Sequence, residues 1–352
     1  MTSSRIIVLR AVACAGVVAS FCSAVAGDAP MFEFVGVSDR PGKVFDALND
    51  GRLVAVDGDQ ILIELAAGAG EYALGGLLPA GSISEFGASF VSVSPDGSRL
   101  AIGDGRFGSA EVHLVEVADL SGGIVSPQSF VQENFDAAWM NNHQLAISHA
   151  DPVSFLGRVT ILDMLSGDRV SLIDIDGASS GVTFASDGSI LVGNGFDTVG
   201  GATGEVRSFA SSLIDDALAG RIGPIAFGSG ALVTDLLSAA SLRFDADGHL
   251  FVGGGDFIAG DAEYFAILDD EAVREAIAGG VAAGIDDAFT DDPNALDFSF
   301  YGAEYNAVTG EWIVSNFDDP FLYHYRLIPA PAGGVAMLAL FVATRRRRPR
   351  DD

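Results

Sequence analysis

Acidic side chains recur in this chain at fixed distances from six turn-forming dipeptides. The turns lie near Asp50, Asp96, Asn142, Asp187, Asp247 and Thr309. Eleven residues before the turn stand Asp39, Glu85 and Asp176, and twelve before it Asp235 and Asp297. In the third copy Glu133 stands closer in. Eight to ten residues after the turn stand Asp104, Asp151, Asp197, Asp256 and Asp318, while Asp57 and Asp59 bracket that offset in the first copy. Carboxylates brought close together repel unless a cation or an arginine intervenes, and a set of hard oxygen ligands selects Ca²⁺ or Mg²⁺. Asp and Asn are also favoured in turns for local hydrogen bonding. The pattern therefore has two readings, a cation-binding face and ordinary loop chemistry. They differ in whether the carboxylates converge.

The elements that must position these acids repeat as well. Ser241 to Asp256 reads SLRFDADGHLFVGGGD: an alternating run, an Asp-Gly turn, an apolar run and a Gly-rich loop. Alternation at period two argues strand, and Asp-Gly between two such runs argues a hairpin. Related units begin at Val44, Phe90, Ala137, Gly181 and Ala303, the third with Asn-His and the sixth with Thr-Gly at the turn. The turns are separated by 46, 46, 45, 60 and 62 residues. Third runs such as Ala110–Val117 and Arg158–Leu162 follow, then fourth runs such as Gln128–Gln132 and Arg169–Asp174. A repeat of about 40–50 residues with four short strands is the signature of a β-propeller blade. The expected fold is all-β: a six-bladed propeller with four-stranded blades.

Met31–Val37 has strand character before the first blade begins, while the sixth copy ends after its third strand, Phe321–Leu327. The N-terminal strand is therefore expected to complete the last blade and close the ring, removing two exposed sheet edges. The two long spacings hold helical patterns, Ser211–Gly220 and Asp269–Gly279, the second with acids at its start and Gly at its stop. Two short helices are expected there, in the outer parts of blades four and five. In a four-stranded blade the loops entering the inner strand and leaving the second strand share one face, opposite the Asp-Gly turns. Asp39, Glu85, Asp104, Asp151, Asp176, Asp197, Asp256 and Asp318 should then ring one mouth of the channel, as candidate metal ligands.

Several motifs carry no chemistry. Gly177-Ala-Ser-Ser-Gly181 precedes a strand rather than a helix, so Ser179 is not a nucleophile elbow. The Gly-rich run at 193–200 lacks the β–α unit of a dinucleotide site. The five histidines show no metal-ligand spacing, and Asp245-Ala-Asp247-Gly248 lacks the later ligands of a calcium loop. Both cysteines, Cys14 and Cys22, lie near the N-terminus, so disulfides, thiolate catalysis and Cys-based zinc sites are excluded from the body. No blade shows an obviously odd polar cluster. For metal-assisted hydrolysis on the axis, Asp136, Glu304 and Asn306 are the candidates.

Residues 1–26 have the form of a secretory signal peptide: Arg5 and Arg10, an apolar run from Ala11 to Phe21, and Ala24-Val25-Ala26 for cleavage. Residues 27–327 form the propeller domain. Residues 328–352 begin with Ile328-Pro-Ala-Pro331, continue through an apolar run from Ala332 to Thr344 and end in the cluster Arg345–Arg348. This tail resembles PEP-CTERM sorting tails, with Ala330 where the name-giving motif has Glu. The resemblance implies recognition by an exosortase-like sorting enzyme, transient inner-membrane anchoring through the C-terminal segment, and a place at the cell surface or in the extracellular matrix, often with exopolysaccharide. It says nothing about the chemistry of the body. Without residues 1–26 and 345–352 the chain keeps 12 basic and 46 acidic residues, a net charge of −34. Such a body repels nucleic acid and anionic lipid.

The first functional reading is an exported binding module whose ligand is a cation, a polysaccharide or another exported protein. The alternatives are a Ca²⁺-dependent hydrolase or lactonase, and a purely structural matrix protein. The fold alone does not separate them.

Overall fold

The computed structural model describes residues 30–175, 177, 180–195, 204–236, 238–254, 264–290, 302–316 and 320–328. Residues 1–26, the tail beyond Ile328, and Asp176, Asp197, Asp256, Asp297 and Asp318 lie outside the described residues.

The second strand of each blade explains why this sequence makes a propeller. Leu53–Asp57, Arg99–Asp104, Gln144–Ala150, Ile190–Gly193, Leu250–Gly254 and Glu311–Ser315 are nearly continuous runs of buried residues. Such runs suit strands covered on both faces, because every blade is sandwiched between two neighbours. The inner strands are Val44–Ala47, Ala88–Val93, Asp136–Trp139, Val182–Phe184, Ser241–Phe244 and Gly302–Asn306. Each pairs antiparallel with the strand that follows it. Six sheets result.

The core is divided into six wedges, one between each pair of adjacent blades. Leu100 and Ile102 of blade two meet Val54 and Val56 of blade one. Trp139 and Leu145 meet Phe90 and Val112. The wedges behind blades three and four also take in the two helices, which follow the third strands of blades four and five. Phe251 and Phe265 meet Trp312 and Tyr325 between blades five and six. Ile313 and Leu322 meet Phe45 and Leu53, and that wedge closes the ring.

Ring closure is also a backbone event. Phe32–Asp39 pairs antiparallel with Phe321–Leu327, so the blade-six sheet contains both ends of the domain. The helices fall where the 3.6-residue pattern places them: α1 at Ser211–Leu218 and α2 at Asp270–Ile277. Asp269 caps α2 by accepting from the Glu271 and Ala272 amides.

The turns between inner and second strands follow one plan with one exception. Gly51, Gly97, Gly188, Gly248 and Gly310 sit at positive φ, 70° to 102°, a conformation that favours glycine. The Asn142-His143 turn lacks such a glycine. There the Asn141 carboxamide oxygen accepts from the His143 and Gln144 amides and holds the bend with a side chain.

Blade three has a fifth strand that the repeat does not announce. Ile225–Ala226, from the segment after α1, pairs parallel with the outer strand Arg169–Ile175. Similar single bridges join Leu77 to Ile124 and Thr234 to Ala283. Long connections thus tie a blade to the rim of its predecessor.

Candidate functional site

The inner strands place one residue at equivalent registers near the axis. Opposite the second strand stand Asp46, Ser92, Ala138, Thr183, Arg243 and Glu304. Two residues earlier on its strand, blade three adds Asp136. Four charged groups from four blades thus meet in the channel. Arg243 reaches across it and gives Asp136 a two-armed ion pair, with Nη2 to Oδ1 at 2.9 Å and Nη1 to Oδ2 at 3.1 Å. Its Nε lies 3.9 Å from Glu304 Oε2. The carboxyls of Glu304 and Asp46 are near enough to act on each other electrostatically.

Two of these acids also hold the ring together. Asp46 Oδ2 accepts from the Val93 amide of blade two at 2.6 Å. Asp136 Oδ2 accepts from the Val182 amide of blade four at 3.0 Å, and Ser148 Oγ accepts from the Asp136 amide. Each carboxylate therefore satisfies an inner-strand donor of the next blade, which sheet pairing within that blade leaves free.

Burial makes the cluster electrostatically unusual. It pushes the Asp46 carboxyl up to about 6, against the lowering effects of the Val93 amide and Arg243. Glu304 is raised well above the carboxylate range, by burial and then by the neighbouring Asp46 charge. The pair behaves as two carboxyls sharing a proton, with Glu304 as donor and Asp46 as acceptor. Burial alone would lower Arg243, but Asp136, Glu304 and Asp46 more than compensate and raise it. Perturbed acids in a cavity are the usual mark of a functional site.

The cavity beside them has a volume of about 290 Å³. Asp46, Arg243 and Glu304 line it together with Trp139, Asn49 and Ser94. Asn49, Ser94 and Pro95 lie at the starts of Asp-Gly turns, so this cavity reaches the turn side of the molecule. That is the side opposite the mouth expected to carry the ring of acids. A larger groove, about 660 Å³, lies between blades two and three beside Asp151 and Glu133. Its Arg158 is paired with Asp174 at 2.7 Å, and burial lowers its His149 to about 4.

The described members of that ring occupy separate environments. Asp39 and Glu85 are exposed. Asp104 is buried, accepts from the Ser84 and Arg106 amides, and pairs with Arg106 at 3.4 Å. Asp151 accepts from the Val153 and Ser154 amides and the Ser154 hydroxyl, and the two amides are among the causes that hold its carboxyl below the usual range. Its loop carries Phe155 at φ 59°, stacked 5.6 Å from Phe107. Asp176, Asp197, Asp256 and Asp318 are not among the described residues.

Of the three axial candidates read from the sequence, Asp136 and Glu304 stand in the cluster. Asn306 does not: its amide donates to Gly51 O at 2.7 Å, and its oxygen accepts from the Val308 and Thr309 amides. It secures the contact between blades six and one. Asp46 and Arg243 were missed, and the expectation of no odd polar cluster is corrected by them. The signal was present. Aligning the six units on their turns puts a charged residue four before the turn only in units one and five, where the others have Ser, Ala, Thr and Tyr, and Glu304 falls one residue farther from its turn.

No protein-family model matches the chain, and no curated protein matches it. Solved structures resemble it in fold. A gluconolactonase from Xanthomonas campestris superposes with a TM-score of 0.52 at 13% identity, covering 86% of this chain and 87% of that one. A luciferin-regenerating enzyme superposes with a TM-score of 0.55 at 11% identity, covering 85% and 96%. At such identities the likeness concerns the propeller fold alone.

Proposed function

We propose that this chain is an exported binding propeller of the cell surface or extracellular matrix, and that its axial cavity takes one small polyhydroxylated unit of a glycan. The observation that carries this reading is how the axial acids are engaged. In a metal-dependent hydrolase, several free carboxylates converge on an ion, and another acts as general base. Here Arg243 supplies the positive charge from within, Asp136 is taken up by that guanidinium and the Val182 amide, and burial together with the Asp46 charge holds the Glu304 carboxyl well above the usual range. This donor set does not fit a divalent ion on the axis, so no step is derived through one.

What remains suits recognition. The lining offers carboxyl oxygens as acceptors and the Arg243 guanidinium as a donor, together with Asn49, Ser94 and the Trp139 ring. Amphipathic sugar rings bind such mixtures of polar groups and aromatic edges. The volume of about 290 Å³ sits at the lower end of ligand pockets, which run from roughly 300 Å³ upward. A single sugar-sized unit fits that scale.

Export rests on residues 1–26, and sorting rests on the tail of residues 328–352 with its resemblance to PEP-CTERM segments. An exosortase-like enzyme is the proposed partner of the tail, with membrane contact limited to the termini.

Isothermal titration of the purified chain with a panel of neutral and uronic monosaccharides tests the site. At least one sugar should bind, and Ala138→Phe, which adds a ring at the cavity lining without removing a charged group, should abolish that heat. Binding that survives Ala138→Phe places the ligand elsewhere. Calcium-dependent hydrolysis of a lactone by the wild-type chain would favour the enzyme reading instead.

A further inference from the structure

A second cluster of ligand-type side chains lies away from the axis, where the turn of blade five meets the start of α2. One ring nitrogen of His249 and one oxygen each of Asp269 and Asp270 lie within 4.8 Å of one another. His249 is only 7% exposed. Its Nδ1 bonds Asp245 Oδ2 at 2.7 Å, and Phe32 packs edge-on against the ring with centroids 6.0 Å apart. The imidazole is thus fixed in orientation from two sides.

We infer that His249, Asp269 and Asp270 form a binding site for a zinc-class divalent cation, with Asp245 holding the histidine in place. Three features combine. With Nδ1 engaged by Asp245, Nε2 is the nitrogen left for an ion, and among the described residues it has no hydrogen-bond partner. A carboxylate behind a ligating histidine is the arrangement that fixes its tautomer and raises its basicity. Neither Asp269 nor Asp270 makes a hydrogen bond or ion pair to His249, although their oxygens are within 4.8 Å of it. Ligands on a tetrahedral zinc ion stand about 3.3 Å apart, so the three side chains must turn toward one another to complete the set.

The carboxylates have capacity to spare. Asp269 uses Oδ2 to cap α2, leaving Oδ1. Asp270 uses Oδ2 for Arg274, which is 68% exposed and therefore holds it weakly. One imidazole and two carboxylates suit zinc, manganese or cobalt, whereas calcium wants six or more oxygens. Three protein ligands leave a position for water or a ligand atom. His249, Asp269 and Asp270 line neither of the two cavities described above.

The test is thermal unfolding of the full chain, freed of metal by chelation, with added ZnCl₂ or CaCl₂ at matched ionic strength. An ion that binds only the folded state raises the melting temperature with its concentration. Zinc should do so and calcium should not at the same concentration. The zinc effect should be lost in His249→Gln, should fall in Asp270→Asn, and should weaken about tenfold in apparent affinity in Asp245→Asn. Cobalt(II) added to the wild-type chain should give visible absorption that zinc displaces, a readout that needs no variant to fold. No zinc effect beyond that of calcium would overturn the proposal, with His249 then serving only as a partner of its neighbouring acids. A zinc effect that persists in both His249→Gln and Asp270→Asn, or cobalt absorption unchanged by zinc, would overturn it too.

Discussion

Arg243 is the side chain on which the axis depends. It is one of 12 basic residues in a body with 46 acidic ones, and it stands among three carboxyls from three other blades. Removing one partner of a buried ion pair leaves an uncompensated charge, at a cost of about 3–5 kcal/mol. The Asp46–Glu304 pair makes a different prediction. Both acids are raised in the folded state, so the native chain holds more protons than the unfolded chain above their ordinary values. Stability from this pair is present at low pH and declines as pH rises, from about 4 through about 6 for Asp46 and beyond for Glu304. Glu304→Gln keeps a donor toward Asp46 without the proton. The variant should lose part of the pH dependence of the melting temperature and match or exceed wild type at pH 8. A variant that is less stable than wild type at pH 8 and has the same pH slope would contradict the shared proton. In the sequence these residues were only half legible. Asp136 and Glu304 stood out as acids in inner strands, but Arg243 acquires meaning only when the blades are set around a common axis.

The elements were far more legible. The fourth-to-first strand closure was readable because Met31–Val37 lacked a blade and blade six lacked a strand. The observed pairing of Phe32–Asp39 with Phe321–Leu327 supplies that strand. Both helices were readable from apolar spacing and their stop glycines. The parallel strand Ile225–Ala226 was not, since two residues carry no period and the pairing depends on where α1 returns the chain. The closing strand also buries Phe32 against Phe251 and Tyr325, worth about 2 kcal/mol for the ring alone. A chain lacking residues 1–39 should expose the edge of Phe321–Leu327 and aggregate, as judged by size-exclusion chromatography. Adding a peptide of residues 30–40 should restore monomer. A truncated chain that remains monomeric and equally stable would show that closure contributes little.

At the scale of the molecule, six wedges of apolar side chains hold the blades while charge is concentrated on loops and axis. The fold was legible because each blade repeats one unit. The site was less so, because it arises from departures among the repeats, and the acids that do repeat are partly taken up in their own turns, as Asp151 is. The central claim is that Arg243 stands where a cation would otherwise be needed, which makes the axis a place for recognition rather than metal chemistry. It is tested by the melting temperature of wild type and Arg243→Met across a calcium titration at constant ionic strength. The account predicts a wild-type axis indifferent to calcium, together with an Arg243→Met chain that is markedly destabilised and recovers as calcium fills the vacated place among Asp46, Asp136 and Glu304. A calcium-dependent rise in wild type that disappears in Asp136→Asn would contradict it and put a metal ion on the axis.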